Sequence, residues 1–276
     1  RAVWITAGNP VAMLPESATV DRALRTREFV CVVDSWPTDS TRAATLVLPT
    51  TTLLEADDLV GAYGHHWVGA ARPVVPPPSG VKSDLQILQE LSSRVGLDGV
   101  LDGSARDWKE RILHKDAGFT LAQIESDGPQ RSALSAKVLF ADRKFSTKTG
   151  RVNLITSAPA RSQVSAEFPL YLMALATEKS QSSQWSKGQP PGPALVTVHP
   201  DAARGIPDGG LARLESAIGS LPIQVRHDPR QRRDVALLAK GGHLRENRNA
   251  NLLSRARATD LGGGGALYDE PVRIAP

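Results

Sequence analysis

The run Phe29-Val-Cys-Val-Val33 is apolar at every position and ends at Asp34. A strand that is apolar throughout, rather than alternating, has both faces buried, and such strands belong to parallel sheets flanked by helices. The flanking sequence agrees. Residues 2–6 read as a short buried strand, followed by the turn Gly8-Asn9-Pro10. Residues 17–26 have a helical period, with Val20, Ala23 and Leu24 near one face. Residues 38–44 are predicted to form a short helix, and residues 45–48 a third strand stopped by Pro49. Strand, helix, strand, helix, strand in this order predicts a parallel α/β sheet.

Further along, residues 61–78 are rich in Gly, Pro and aromatics and read as extended chain or a hairpin. Residues 84–95 have Leu85, Leu88, Leu91 and Val95 on one side and Gly96 at the end, the pattern of a helix with a glycine stop. Residues 104–115 and 120–125 are predicted to be short helices. Residues 131–163 are polar and loop-like, with one hairpin expected across 145–155 through Thr149-Gly150. From residue 168 onward the pattern changes. Strand-like runs recur at 170–176, 194–198, 210–216, 221–225 and 235–238, with a last one near 272–274, punctuated by Pro and Gly as in a small β-barrel. No internal repeat is visible. A chain of 276 residues suggests about two domains at roughly 150 residues each. The change of pattern places the main boundary near residue 165; the finer division is 1–100, a connector at 101–165, and 166–276.

Composition removes several function classes. The formal net charge is only +4, too weak a surplus to indicate nucleic-acid binding but suited to an anionic small ligand. Cys31 is the single cysteine, so this sequence cannot form an internal disulfide, a four-cysteine zinc site or a cysteine-held iron–sulfur cluster. No apolar run approaches the roughly 20 residues that span a bilayer, so direct membrane insertion is not expected. The sequence opens inside a strand without an initiator Met, which suggests a chain cut from something larger.

Four motifs could carry chemistry. Asp34 ends a buried strand, where ligands of open α/β sheets bind, and its carboxylate can accept both hydroxyls of a ribose. A helix cap or a plain turn residue would look the same. His65-His66 invites a metal, but adjacent residues on extended chain point to opposite faces, and no Cys-x-x-Cys or His-Glu-x-x-His pattern supports them. Their expected role is packing or hydrogen bonding beside Trp67. Residues 177–185, Thr-Glu-Lys-Ser-Gln-Ser-Ser-Gln-Trp, place hydroxyls, amides and an ammonium directly after an apolar strand. Such a stretch can bind a heterocycle or a phosphate, or it can be a solvated loop. The basic cluster Arg226-His-Asp-Pro-Arg-Gln-Arg-Arg233 reads as a solvated turn, with phosphate contact as the alternative. Gly-x-Ser-x-Gly, a Walker loop and a strand-borne Gly-x-Gly-x-x-Gly are all absent, which argues against a self-contained hydrolase, kinase or nicotinamide dehydrogenase.

Taken together, several segments resemble the molybdopterin oxidoreductases of the dimethyl sulfoxide reductase family. Trp4-Ile-Thr-Ala-Gly-Asn-Pro10 looks like that family's strand and Gly-x-Asn-Pro turn. Residues 29–49 resemble its strand ending in Asp, then a Thr-rich helix and an Ala-x-x-Val-Leu-Pro strand. Glu55 and the Gly-rich stretch after it are similar to the segment crossing back toward the active centre. Phe145-Ser-Thr-Lys-Thr-Gly-Arg151 resembles the hairpin that precedes the last domain. Val198-His-Pro-Asp-Ala-Ala-Arg-Gly-Ile-Pro-Asp-Gly209, with residues 212–220, resembles the hallmark of that domain. Asn251-Leu-Leu and Asp260 resemble its closing segment. The order of these segments covers nearly the whole chain.

The resemblance implies an α/β, Rossmann-like partial domain followed by a β-rich double-psi barrel that binds the molybdopterin dinucleotide. The implied function is the C-terminal, cofactor-binding portion of a molybdenum or tungsten oxidoreductase, inactive alone, holding a bis(pterin guanine dinucleotide) cofactor for two-electron redox chemistry. A non-catalytic relative serving as scaffold in a respiratory assembly is the alternative. In the implied site Asp34 holds guanosine hydroxyls, with Thr38 beside it, while Gly8 and Asn9 let the backbone approach other polar groups. Thr177, Lys179, Ser180, Ser183 and Gln184 line the pterin, and His199, Asn251 and Asp260 lie around the same cofactor. No residue of this stretch is expected to ligate the metal, and no catalytic residue is assigned. An iron–sulfur cluster is expected only in the missing N-terminal part of the enzyme. That part, and an iron–sulfur electron-transfer subunit, are the implied partners, with no nucleic acid.

Overall fold

Parallel pairing of the first two strands organises the N-terminal part of the chain. In a computed structural model, which describes residues 1–113, 117–156, 163–178, 180–185, 192–259 and 262–276, β1 (Ala2–Thr6) runs alongside β2 (Phe29–Asp34) in the register Ala2↔Phe29 to Thr6↔Val33. β3 (Leu46–Pro49) completes the sheet, in the order β1-β2-β3. Residues Val30 to Val33 of the central strand are at most 1% exposed, as their uninterrupted apolar run requires. Three helices accompany the sheet: α1 (Pro10–Met13), α2 (Ser17–Arg25) and α3 (Asp39–Arg42). α1 was not expected. It is a single turn opened by Pro10, whose fixed φ and missing N–H suit the first helical position. α3 is capped by Thr38, which exchanges bonds with Thr41 in a capping box, so Asp34 is not the cap of this helix.

The next stretch forms a unit of its own, Pro49–Ser157. β4 (Asp58–Val60), β5 (Trp67–Ala71) and β6 (Gln130–Arg131) make a small antiparallel sheet in that order. α4 (Asp84–Arg94), α5 (Ala105–Ile112) and α6 (Leu121–Asp127) each start from a capping box, headed by Ser83, Ser104 and Thr120. The buried Lys109 ammonium is matched by Asp57 at 2.5 Å. The hairpin expected across residues 145–155 does not form. Gly150 N–H donates to the Thr147 carbonyl at 3.1 Å, closing a turn, but no strand flanks it. Val152, Leu154 and Ile155 remain 51, 79 and 71% exposed, so no apolar face is buried that could specify a strand register.

The C-terminal stretch closes into a six-stranded barrel. β7 (Leu170–Leu175) comes first, then a hairpin of two-residue strands, β8 (Ser180–Gln181) and β9 (Gln184–Trp185). The other barrel strands are β10 (Ala194–Val198), β11 (Leu211–Ser216), β12 (Ser220–His227), β13 (Val235–Ala239) and β14 (Tyr268–Ala275). Around the barrel the order is β10-β12-β11-β14-β7-β13. Inward positions alternate along β7 and β12, and Leu172, Val196, Val198, Leu214, Leu221, Ile223, Val225 and Val272 are fully buried. Each such side chain contributes about 1.5–3 kcal/mol by leaving water.

The strand order has an internal two-fold pattern. Exchange β7, β10, β11 with β12, β13, β14, and every neighbour relation is kept. The parallel pair β10–β12 becomes the parallel pair β13–β7, and the antiparallel pair β11–β12 becomes the antiparallel pair β14–β7. The antiparallel pairs β10–β13 and β11–β14 map onto themselves.

By contact, Arg1–Leu48 and Ala158–Pro276 form one unit, and Pro49–Ser157 the other. Within the first unit, α1, α3 and the Glu16 turn hydrogen-bond residues 244–256 of the chain after β13.

Candidate functional site: a polar seam at the strand ends

Because β1 and β2 are parallel, their carboxyl ends share one edge of the sheet, and Gly8, Asn9, Asp34 and Thr38 all follow those ends. Ala7, at φ 50°, turns the chain out of β1 while its N–H still donates to the Val33 carbonyl at 3.1 Å. Asp34 is half-buried and its Oδ1 accepts the Trp36 N–H at 3.0 Å, an Asx turn. The Thr38 hydroxyl accepts the Thr41 N–H at 3.2 Å as the helix cap.

Asn9 is only 3% exposed. Its Oδ1 accepts both the Ser40 N–H at 3.2 Å and the Ser40 hydroxyl at 2.7 Å, and Ser40 Oγ in turn accepts the Val11 N–H at 3.1 Å. These bonds fix the amide plane. The Asn9 Nδ2 group is buried and has no hydrogen-bond partner in the protein. An unpaired buried donor costs about 1–3 kcal/mol.

The opposite wall is the chain after β13. Asp39, 4% exposed, accepts the Leu244 N–H at 2.7 Å and the Arg245 N–H at 3.4 Å. The His243 imidazole stands with Nδ1 3.5 Å from Asp39 Oδ2, an ion-pair distance without hydrogen-bond geometry. Burial pushes the Asp39 carboxyl up. The His243 ring and the Leu244 and Arg245 amides outweigh it and hold the group below the usual carboxylate range. The Asn249 and Asn251 side-chain amides donate to the Ala12 carbonyl at 3.2 and 2.9 Å. Glu16, in the left-handed region at φ 55°, donates its N–H to the Ser254 carbonyl at 2.9 Å and accepts the Ala256 N–H at 3.0 Å.

The remaining expected residues are distributed as follows. Asn251 is 4% exposed and binds α1 through its amide. Thr177 is exposed, Ser183 is half-buried at the tip of the β8–β9 hairpin, and Gln184 is exposed. Ser180 begins that hairpin. Lys179 and Asp260 lie outside the described residues. The hairpin tip packs so closely on the chain after β13 that a Cβ at Gly241, at φ +76°, would collide with the Ser182 carbonyl oxygen. His199 is elsewhere on the barrel, capping the 3₁₀ turn Pro200–Ala203 by accepting the Asp201 N–H at 3.1 Å.

Three arginines of the basic cluster are paired with carboxylates, one of them inside the cluster. Arg230 pairs with Asp228, Arg232 with Asp234 and Arg233 with Asp201, at 3.1, 2.6 and 3.2 Å. His65 accepts the Trp67 N–H at 3.1 Å, and both His65 and His66 are exposed. Among the described residues no group of three or more His, Cys, Asp or Glu could hold a metal ion. Among them, too, no helix is long and apolar enough to cross a membrane. The sequence reading missed Asp39, Ser40, His243, Asn249 and Glu16. Only the Gly241-Gly242 pair before His243 signals a tight loop there.

Comparisons with known proteins give the following matches. Residues 1–94 match the family described as molybdopterin oxidoreductase. The chain is 24% identical to the probable oxidoreductase YyaE of Bacillus subtilis over 97% of its own length and 44% of that protein's. It is 24% identical to the trimethylamine-N-oxide reductase of Haemophilus influenzae over 80% of its length and 33% of that protein's. Among solved structures, acetylene hydratase from Pelobacter acetylenicus superposes with a TM-score of 0.76 at 18% identity, covering 100% of this chain and 44% of the hydratase. The chain thus spans less than half the length of these relatives.

Proposed function

We propose, for a chain that belongs to the molybdopterin oxidoreductases of the dimethyl sulfoxide reductase family, that it forms the cofactor-holding part of a molybdenum or tungsten oxidoreductase and that its polar seam binds a pterin guanine dinucleotide. The observation that carries this reading is the Asn9 amide, buried, oriented by Ser40 and left with an unpaired donor at the carboxyl end of a parallel strand. Carboxyl ends of such strands are where open α/β sheets take nucleotides.

The donor set suits the group. A guanine dinucleotide presents ribose hydroxyls, which need acceptors, and phosphate and ring oxygens, which need donors. Asp34 supplies a carboxylate held in place by its own turn, and Asn9 supplies a fixed N–H donor. At Gly8 a Cβ would meet nothing closer than 3.6 Å, so the glycine leaves backbone accessible rather than relieving a clash. Thr177, Lys179, Ser180, Ser183 and Gln184 line the pterin in this reading, with His199, Asn251 and Asp260 more peripheral. When bound, the cofactor supplies the two-electron redox chemistry, and the protein's task is to orient it and tune its surroundings. The two-fold strand pattern of the barrel supports a double-psi barrel as its class. An iron–sulfur cluster and its electron-transfer partner belong, in this reading, to polypeptide outside this sequence, whose one cysteine is buried.

The test is metal and pterin quantification on the full-length native protein beside its Asp34→Ala variant. Loss of charge-assisted bonds to ribose hydroxyls should weaken dinucleotide binding by roughly 2–3 kcal/mol while the melting temperature changes little. Full dinucleotide content with a sharply lowered melting temperature would make Asp34 a turn residue and remove it from the site.

A further inference from the structure

The first turn of α3 carries two adjacent buried residues that reach different parts of the chain. Ser40 fastens the β1 turn through Asn9 and Val11. Asp39 fastens the chain after β13 through the Leu244 and Arg245 amides, 205 and 206 residues away. That same chain returns to α1 through Asn249 and Asn251. Hydrogen bonds join Asn9 to Ser40, Asp39 to Leu244, Asn251 to Ala12 and Ala12 to Asn9, and the chain itself closes the steps between them.

We propose that Asp39 is a positioning residue, whose carboxylate latches residues 241–251 of the barrel against the turn bearing Asn9 and so holds the two walls of the polar seam in one register. This rests on the seam being part of the dinucleotide site. The chemistry of the acceptor supports it. Two successive backbone N–H groups and an imidazole converge on Asp39, and a carboxylate offers two acceptor oxygens where an amide offers one. The nearby Arg245 guanidinium is engaged elsewhere, donating to the Pro37 carbonyl at 3.3 Å, so backbone amides and His243 define the contact. The alternative is that the bonds among Asn249, Asn251 and α1 suffice to hold the loop and Asp39 only fills space.

Hydrogen exchange on the full-length protein decides between them, comparing wild type with Asp39→Asn and Asp39→Glu. The latch requires exchange of the Leu244 and Arg245 amides to accelerate about tenfold or more in Asp39→Asn, with β12 unchanged and partial protection regained in Asp39→Glu. Wild-type exchange in residues 241–251 of Asp39→Asn overturns it. If Asp39→Asn does not accumulate, Asp39→Ser, smaller and without an added amide donor, gives the same two outcomes. Dinucleotide retention is measured in parallel. Faster loop exchange with unchanged retention supports the latch and counts against the dinucleotide reading of the seam, so the two can fail separately.

Discussion

Two polar stretches in this protein follow buried strands, and they use their side chains in opposite ways. After β2, residues 34–41 turn nearly every polar group inward. Asp34 closes a turn, Thr38 caps a helix, Asp39 binds the barrel loop and Ser40 binds Asn9. After β7, Thr177 and Gln184 are exposed, and the hairpin backbone at Ser182 packs closely on Gly241. The first stretch is a fixed wall bonded through Ser40 to Asn9, whose Nδ2 has no partner among the described residues. The second leaves Thr177 and Gln184 exposed beside a backbone seated on Gly241. A site that binds a long polar ligand needs both kinds of surface, since immobilised groups lose less entropy on binding while exposed ones remain reachable.

The largest effect should come from breaking the anchor of the second stretch. Gly241→Ala places a methyl against the Ser182 carbonyl at a φ that L-residues resist, and neither backbone can yield cheaply. A loss of about 3 kcal/mol or more is expected, read as a large fall in the denaturation midpoint of the full-length protein. Gly262→Ala is the control, because it has a similar positive φ but nothing within 4 Å, and should cost only about 1 kcal/mol. Equal effects of the two would show that the hairpin is not seated on Gly241.

That contrast also marks what could be read without coordinates. The barrel strands were legible as apolar runs punctuated by Pro and Gly, and α4 because Leu85, Leu88, Leu91 and Val95 fall on one side before Gly96. The two-fold pattern of the barrel was not, because it resides in which strands pair and not in any repeated sequence. α1 is too short to show a period. Most of the seam was hidden for a similar reason. Asp39 next to a helix cap looks like an ordinary first-turn carboxylate, and its partner Leu244 offers a backbone N–H that no side-chain pattern reports. Asp34 could be singled out because it ends a buried strand, and Gly8 and Asn9 only through the resemblance of their turn; the bonds from Ser40 that orient Asn9 were not legible.

A smaller effect separates the inward stretch from the outward one by pH. Asp39 has its folded pKa lowered, so its contribution to stability is fully present above the unfolded value near 3.9 and is lost as pH falls through the lower folded value. The difference in melting temperature between wild type and Asp39→Asn should therefore be constant above about pH 5 and shrink progressively below the ordinary carboxylate range. A difference that persists undiminished at acid pH would mean that the carboxylate charge contributes nothing to the bonds with residues 243–245.

The smallest effect on the fold should come from Gln184→Ala. Gln184 is exposed, and exposed positions away from caps and buried bonds usually change stability by no more than about 0.5 kcal/mol. On stability alone the substitution would be silent, in contrast to Gly241→Ala a few contacts away. Its effect should appear only when a ligand is present. If the hairpin displays donors to the pterin, the amide is one of the groups that holds the ring, and the variant should lose cofactor during purification with its melting temperature unaltered. The measurement is pterin and molybdenum content per full-length protein, set against the denaturation midpoint of the same sample. Reduced content at an unchanged midpoint fits a side chain whose purpose lies in binding. Full content would leave residues 177–185 as a solvated hairpin and assign the ligand contacts of this half to the wall formed by residues 241–251.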